Sequence, residues 1–242
     1  MLRFRTFGTI DLRRVGGERI DSLLQKPKML ALFTYLAERQ RTGPVRREEL
    51  LSLLWPDSGP SSARHALSSM LTRLRNTLGQ EVLLGRGEET IALSPEQVRV
   101  DVVAFRTHIE RGRPGEALDL YRGPFLHGFR LPDAREYLHW VEERRSTYRR
   151  RAQKAGLEAA DGARREGDME AAERCLRRAA DITEYDEEVT RRLVRVLVER
   201  GKKAAAVQVY RDTRRHLERE LGLSPSEALE ELVAGIRSEP ES

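Results

Sequence analysis

Apolar and polar side chains alternate through Leu2-Arg3-Phe4-Arg5-Thr6-Phe7-Gly8-Thr9-Ile10-Asp11-Leu12, the two-residue period of half-buried strands. Gly8 and Gly16-Gly17 mark turns, so a small antiparallel sheet is predicted here. The period then changes. Pro27 opens a helix at the position where its missing N–H costs nothing, and Met29, Leu32, Phe33 and Leu36 recur at helical spacing until Gly43-Pro44. A second helix is expected over Arg46 to Trp55, with Leu50, Leu51, Leu53 and Leu54 as its buried side, before a loop at Pro56-Asp57-Ser58-Gly59-Pro60. A third helix, 61–78, is expected to take Ser61 or Ser62 as its cap and to stop at Gly79. At about 100° per residue, Ala63, Leu67, Met70, Leu71, Leu74 and Leu78 fall in one stripe, and His65, Ser68, Ser69, Thr72, Arg73 and Asn76 fall opposite. After it, Val82-Leu83-Leu84 and Thr90-Ile91-Ala92-Leu93 read as two short strands around a glycine-rich tip that displays Arg86.

From Asp101 onward the helical period dominates. Val102, Val103, Phe105 and Ile109 form an amphipathic set, Gly112 and Pro114 break it, and another helix begins between Glu116 and Tyr121. The segment Tyr121-Arg122-Gly123-Pro124-Phe125-Leu126, with Leu131-Pro132-Asp133 after it, is loop-like but apolar, so it is predicted to fold back onto a core. Asp133 is expected to cap a long helix through Trp140 and Tyr148. Gly167-Asp168-Met169-Glu170-Ala171-Ala172 then aligns with Gly201-Lys202-Lys203-Ala204-Ala205-Ala206 at an offset of 34 residues, the period of tetratricopeptide helix pairs. Leu176 aligns with Tyr210 and Ala172 with Ala206, which sets two pairs at 152–185 and 186–219, although the consensus aromatic and glycine of each first helix are missing. Gly222 ends the last long helix, and Ser224-Pro225-Ser226-Glu227 reads as a capping box for one more. The fold class is therefore mainly α with a small β component, in two domains at 1–99 and 100–242.

Composition and charge sharpen this division. With 242 residues, 39% hydrophobic and 34% charged, the chain suits two folded domains. It has no apolar run near the ~20 residues of a bilayer span and no signal-peptide segment between Met1 and Arg14, so a cytoplasmic location without membrane contact is expected. The single cysteine, Cys175, permits no internal disulfide and sits among Ala171, Ala172, Leu176 and Ala179 on a packing face. Residues 1–100 hold 16 Lys+Arg against 11 Asp+Glu, whereas 101–242 hold 28 of each. All the excess positive charge lies in the first domain, which suits a polyanionic partner there. The arginine pairs and triplets at 144–145, 149–151 and 164–165 lie near Glu142, Glu143 and Glu158 and read as solvated helix faces. No phosphate-binding glycine loop, nucleophile elbow, catalytic triad or cofactor fingerprint occurs. His65, His108, His127, His139 and His216 lack metal-ligand spacing. No enzyme activity, cofactor or metal is expected.

The third helix carries the functional argument. It contains no acid in a chain with 39 Asp+Glu, and its outward Ser, Thr, His, Asn and Arg side chains suit base edges and phosphates. His65, Ser69, Thr72 and Arg73 are the candidate base readers. Arg64 and Arg75 on its flanks, with Asn76, Arg46 and Arg47, are candidate phosphate contacts, and Arg86 is a candidate for the minor groove.

The run Lys26-Pro27-Lys28, Leu50-Leu51-Ser52-Leu53-Leu54-Trp55, Ser62-Ala63-Arg64, Leu71-Thr72-Arg73-Leu74-Arg75 and Leu78-Gly79 resembles the OmpR-type winged helix at the head of the SARP family of bacterial activators. The likeness covers nearly all of 2–100 and implies a sheet, three helices and a wing in this order, with the third helix in the major groove. By position, Ser69, Thr72, Arg73 and Arg75 match places from which OmpR-type helices contact DNA. Arg46 stands where relatives often carry a capping Ser, and Glu88 and Glu89 in the wing depart from the pattern. Leu118 to Leu126, Trp140 to Arg151 and Ala206 to Pro225 resemble the bacterial transcriptional activator domain that follows in that family, which implies a tetratricopeptide-like fold and self-association or contact with transcription machinery. The expected function is sequence-specific binding of double-stranded DNA, as a homodimer on tandem half-sites about one helical turn apart, with activation through RNA polymerase. The alternative is a protein-interaction adaptor whose winged helix no longer binds DNA.

Overall fold

Leu2, Phe4 and Leu12 turn inward from β1 (Leu2–Arg5) and β2 (Asp11–Arg14), which pair antiparallel with Leu2 opposite Arg14 and Arg5 opposite Asp11. This is the arrangement in a computed structural model that describes residues 1–86 and 89–238, the side chains of Arg86, Arg237 and Ser238 excepted. A third strand, β6 (Val98–Val100), joins the other edge of β1 in parallel. Three residues are too few to display a period, so the sequence did not reveal it. A second sheet, in the order β3-β5-β4, is built from β3 (Val45–Arg46), β4 (Leu83–Arg86) and β5 (Thr90–Leu93). Strands β4 and β5 are the expected hairpin, with Leu83 opposite Leu93 and Arg86 opposite Thr90.

Four helices lie between the strands: α1 (Asp21–Leu24), α2 (Pro27–Glu38), α3 (Arg47–Leu54) and α4 (Pro60–Leu78). Helix α2 starts on Pro27 as predicted and is buried at every residue from Met29 to Glu38. The buried side of α3 is narrower than predicted. Leu50 and Leu54 are buried, while Leu51 and Leu53 are half-buried, because positions one residue apart point about 100° away from each other.

The first compact unit comprises Met1–Arg111 and Asp119–Tyr148, so compactness does not divide the chain at 99. Helix α5 (Asp101–Glu110) is tied to the end of β1 by its first residue. The carboxylate of the half-buried Asp101 accepts hydrogen bonds from the Thr6 N–H at 2.8 Å, the Thr6 hydroxyl at 2.6 Å and the Phe7 N–H at 2.9 Å. Burial pushes this carboxyl above its ordinary range, against the pull of those donors. Residues 121–126 fold back as expected: Leu126 N–H donates to Thr6 O at 2.8 Å and Gly8 N–H to Pro124 O at 3.1 Å. At Gly8, φ is +72° and a Cβ would lie 2.8 Å from Arg122 O, so only glycine fits. Phe7 packs its ring against Phe105, Tyr121 and Tyr148 at centroid distances of 5.1–5.3 Å.

Helix α7 (Arg135–Arg165) is 31 residues long and starts two residues beyond Asp133, the expected cap. Its Tyr137, Trp140 and Tyr148 are buried. Arg145 is not a solvated residue as read from the sequence, for its guanidinium donates to Phe125 O at 2.7 Å and Leu126 O at 2.5 Å. On α2, the buried Glu38 accepts from Arg106 Nη1 at 3.1 Å and the Tyr148 hydroxyl at 3.0 Å.

The second unit comprises Gly112–Leu118 and Arg149–Ser242. It contains most of α6 (Pro114–Leu120), the second half of α7, and α8 (Met169–Ile182), α9 (Glu187–Glu199), α10 (Lys203–His216) and α11 (Glu227–Ser238). The repeat is visible in the geometry. Helices α8 and α10 start 34 residues apart, each after a left-handed glycine, Gly167 at φ +80° and Gly201 at φ +72°. Ala172, Ala206, Leu176 and Tyr210 are buried in one core, which Leu229, Val233 and Ile236 of α11 complete. Cys175 is half-buried against that core. Gly222 is left-handed, as a helix stop requires, after one π turn at Leu217–Leu221. The capping box does not form: α11 begins at Glu227, and the Ser226 N–H donates to Glu187 at 3.1 Å. Among the described residues, no helix is long and apolar enough to cross a membrane.

Candidate nucleic-acid interface

Helix α4 is anchored by a narrow stripe. Ala63, Leu67, Leu71, Leu74 and Leu78 are buried, each with at most 4% of its surface exposed, and these positions recur every three or four residues. Met70, assigned to this stripe from the sequence, is half-buried at its edge. The helix starts one residue earlier than expected, because Pro60 takes the first position and Gly59 the cap, which leaves Ser61 and Ser62 inside the first turn. That turn carries neither an acid nor a side-chain cap, so its free N–H groups favour anions. At the other end the Gly79 N–H closes on Arg75 O at 2.9 Å, and Arg14 on β2 donates to Thr77 O at 3.0 Å. Helix α3 is locked to α2 by a hydrogen bond from the Tyr35 hydroxyl to Glu49. Burial and then that carboxylate push the Tyr35 phenol far up.

Opposite the buried stripe runs an exposed ridge of Arg64, His65, Ser68, Thr72, Arg73 and Asn76, with Ser69 and Arg75 half-buried along its sides. The Thr72 hydroxyl donates to Ser68 O at 3.1 Å, which leaves its lone pairs and methyl group outward. On one side of the ridge, a cleft of about 640 Å³ gathers Arg46, Arg47, Arg64 and Ser68 together with Glu48 and Glu89. Arg46 is the residue preceding α3 and offers no side-chain cap. Arg47 is half-buried, its backbone N–H donates to Glu89 O at 2.9 Å, and its Nε is a buried donor without a partner among the described residues.

On the other side, a second cleft of about 500 Å³ gathers His65, Ser69 and Arg73 of α4 with Lys26, Lys28 and Trp55. Lys26 and Lys28 flank the start of α2 and were not singled out as site residues from the sequence. Nothing local marks them, since their nearness to Arg73 is created by packing. Lys28 Nζ lies 5.5 Å from the centre of the Trp55 ring. Among the described residues, none of Lys26, Lys28, Arg46, Arg47, Arg64, Arg73 and Arg75 forms an ion pair.

The structure therefore brings His65, Ser69, Thr72, Arg73 and Asn76 onto one ridge, with Arg46, Arg47 and Arg64 along one flank. The Arg86 side chain lies outside the described residues, as does Glu88, and only the pairing of the Arg86 backbone with Thr90 is defined.

Residues 100–237 match the family described as Bacterial transcriptional activator domain. Over 97% of its length the chain is 29% identical to the regulatory protein AfsR of Streptomyces griseus. It is 28% identical, over the same share, to the regulatory protein AfsR of Streptomyces coelicolor. It spans about a quarter of the length of these curated relatives, 24% in both cases. Among solved structures, Mycobacterium tuberculosis EmbR, in complex with a low-affinity phosphopeptide, superimposes with a TM-score of 0.64 at 21% identity, covering 100% of this chain and 66% of that one. This last likeness concerns the fold alone.

Proposed function

The chain belongs to the bacterial transcriptional activator domain family, and on that premise we propose that it is a sequence-specific DNA-binding regulator of transcription of the SARP type. In this reading the first unit is an OmpR-type winged helix, with α4 as recognition helix and β4–β5 as wing, and the second is a tetratricopeptide-like platform. The observation that carries it is the acid-free ridge of α4 with cations along its flanks that form no ion pair among the described residues. Such a surface repels itself in isolation and is neutralised by phosphates.

The ridge enters the major groove. Arg73 reads a guanine through its planar fork, helped by His65 and Ser69. Thr72 offers a methyl group to thymine or accepts a hydrogen bond. Arg46, Arg47, Arg64, Arg75 and Asn76 hold phosphates and fix the register, and Arg86 reaches the minor groove from the wing. One helix reads few base pairs, so two copies bind tandem half-sites about one turn apart, and the helical platform supports self-association and contact with RNA polymerase.

Selection of bound duplexes from a random library, followed by anisotropy titration of the winner, tests this. A recovered motif, with a loss of about 1–3 kcal/mol for Arg73→Ala and relaxed preference at one base pair, is expected. If no duplex is enriched and none binds at low salt, the DNA reading fails and the adaptor reading replaces it.

A further inference from the structure

The two clefts beside α4 differ in a way that the proposed DNA reading leaves unused. The first mixes its arginines with Glu48 and Glu89. The second holds Lys26, Lys28, His65 and Arg73 and is lined by no carboxylate. Its floor is apolar, with Met29, Trp55 and Met70, and the Lys28 ammonium rests over the Trp55 ring rather than beside an acid. Lys26 is exposed and Lys28 half-buried, and both sit next to the same α4 residues that the ridge presents.

A helix with its side chains is about 10–12 Å across, close to the roughly 12 Å width of the B-DNA major groove. Lodged there, it meets a phosphate strand on each side. Arg46, Arg47 and Arg64 lie on one flank only. On the other, Arg73 points from the ridge towards bases, and the remaining permanent cations are Lys26 and Lys28. Resting on the DNA reading above, we propose that Lys26 and Lys28 grip the phosphates of the second strand, so that α4 is held between two cationic clefts. As compact point charges the lysines hold phosphates without reading sequence, while the Trp55 face keeps Lys28 in place when DNA is absent.

The test compares the full chain with Lys26→Gln/Lys28→Gln in titrations of the selected duplex and of an unrelated duplex of equal length, at several salt concentrations. Two lost phosphate contacts make the slope of log K against log salt shallower by about 1.8. Both duplexes are expected to lose this slope alike, with the base preference unchanged. Lys26→Arg/Lys28→Arg is expected to restore it, which separates charge from folding. Lys154→Gln, an exposed position on α7, is expected to leave it unchanged. An unaltered slope in the double Gln variant, or an equal loss in Lys154→Gln, overturns the proposal while the DNA reading stands. Absence of DNA binding by the unmodified chain overturns both.

Discussion

At Glu173, burial and charge pull in opposite directions. Only 7% of its side chain is exposed, which raises the carboxyl, but Lys202 at 2.9 Å, Arg177 at 2.9 Å and the Arg200 guanidinium outweigh this. The carboxyl is held at about 2, against an ordinary value of 4.5. A depressed carboxylate stabilises the folded state above its unfolded value and loses that contribution as pH falls from about 4.5 towards 2. Glu173→Gln is therefore expected to lower the melting temperature at pH 7 and to narrow the gap between melting at pH 7 and pH 3. A gap equal to that of the unmodified chain would contradict this. Asp101 ties the start of α5 to the end of β1. Asp101→Ala strands the buried N–H groups of Thr6 and Phe7 and is expected to cost on the order of 3 kcal/mol in urea denaturation. Neither role was legible from the sequence, since Asp101 depends on Thr6 and Phe7, and Glu173 on Arg200 and Lys202 besides its helical neighbour Arg177, and these remote partners are brought close only by folding. The outward set His65, Ser69, Thr72, Arg73 and Asn76 was legible, because a helix face follows from spacing alone.

Helices α7 and α8 approach each other so closely at one point that a Cβ on Gly156 would lie 2.9 Å from the Cβ of Ala179. Neither end can swing aside. Gly156→Ala is expected to destabilise by about 1–3 kcal/mol through overpacking, more than the ~1 kcal/mol that alanine gains over glycine in a helix. Gly162 on the same helix has nothing within 4 Å of its would-be Cβ. Gly162→Ala is expected to stabilise by up to ~1 kcal/mol, so chemical denaturation of the two variants should give opposite signs. The 34-residue repeat was readable because Gly167 and Gly201 punctuate it locally. Helix ends were read less well. Ser61 looked like a cap until Pro60 took the first position, and Ser224-Pro225-Ser226-Glu227 looked like a capping box, but the helix begins only at Glu227.

On the scale of the molecule, the first compact unit draws on residues well beyond its strands and α4. Asp101, Phe105, Tyr121, Phe125 and Tyr148 all pack on or bond to residues 6–8. A fragment ending at Arg99 is expected to show no cooperative thermal transition, whereas a fragment of residues 1–148 is expected to show one by circular dichroism. A sharp transition in the shorter fragment would mean that the aromatic cluster is dispensable.

Periodicity by itself determined the mainly helical class, the outward face of α4, the hairpin after it and the paired helices of the second unit. These depend on neighbours within a turn or on a repeated local signal, and the same information pointed to the family that residues 100–237 match. Tertiary structure alone decided that Lys26 and Lys28 stand beside Arg73, that Arg47 and Arg64 share a cleft, and that residues 119–148 complete the first unit. Such proximities join segments separated by tens to more than a hundred residues. They are set by which buried faces pack together, and no local period encodes that choice.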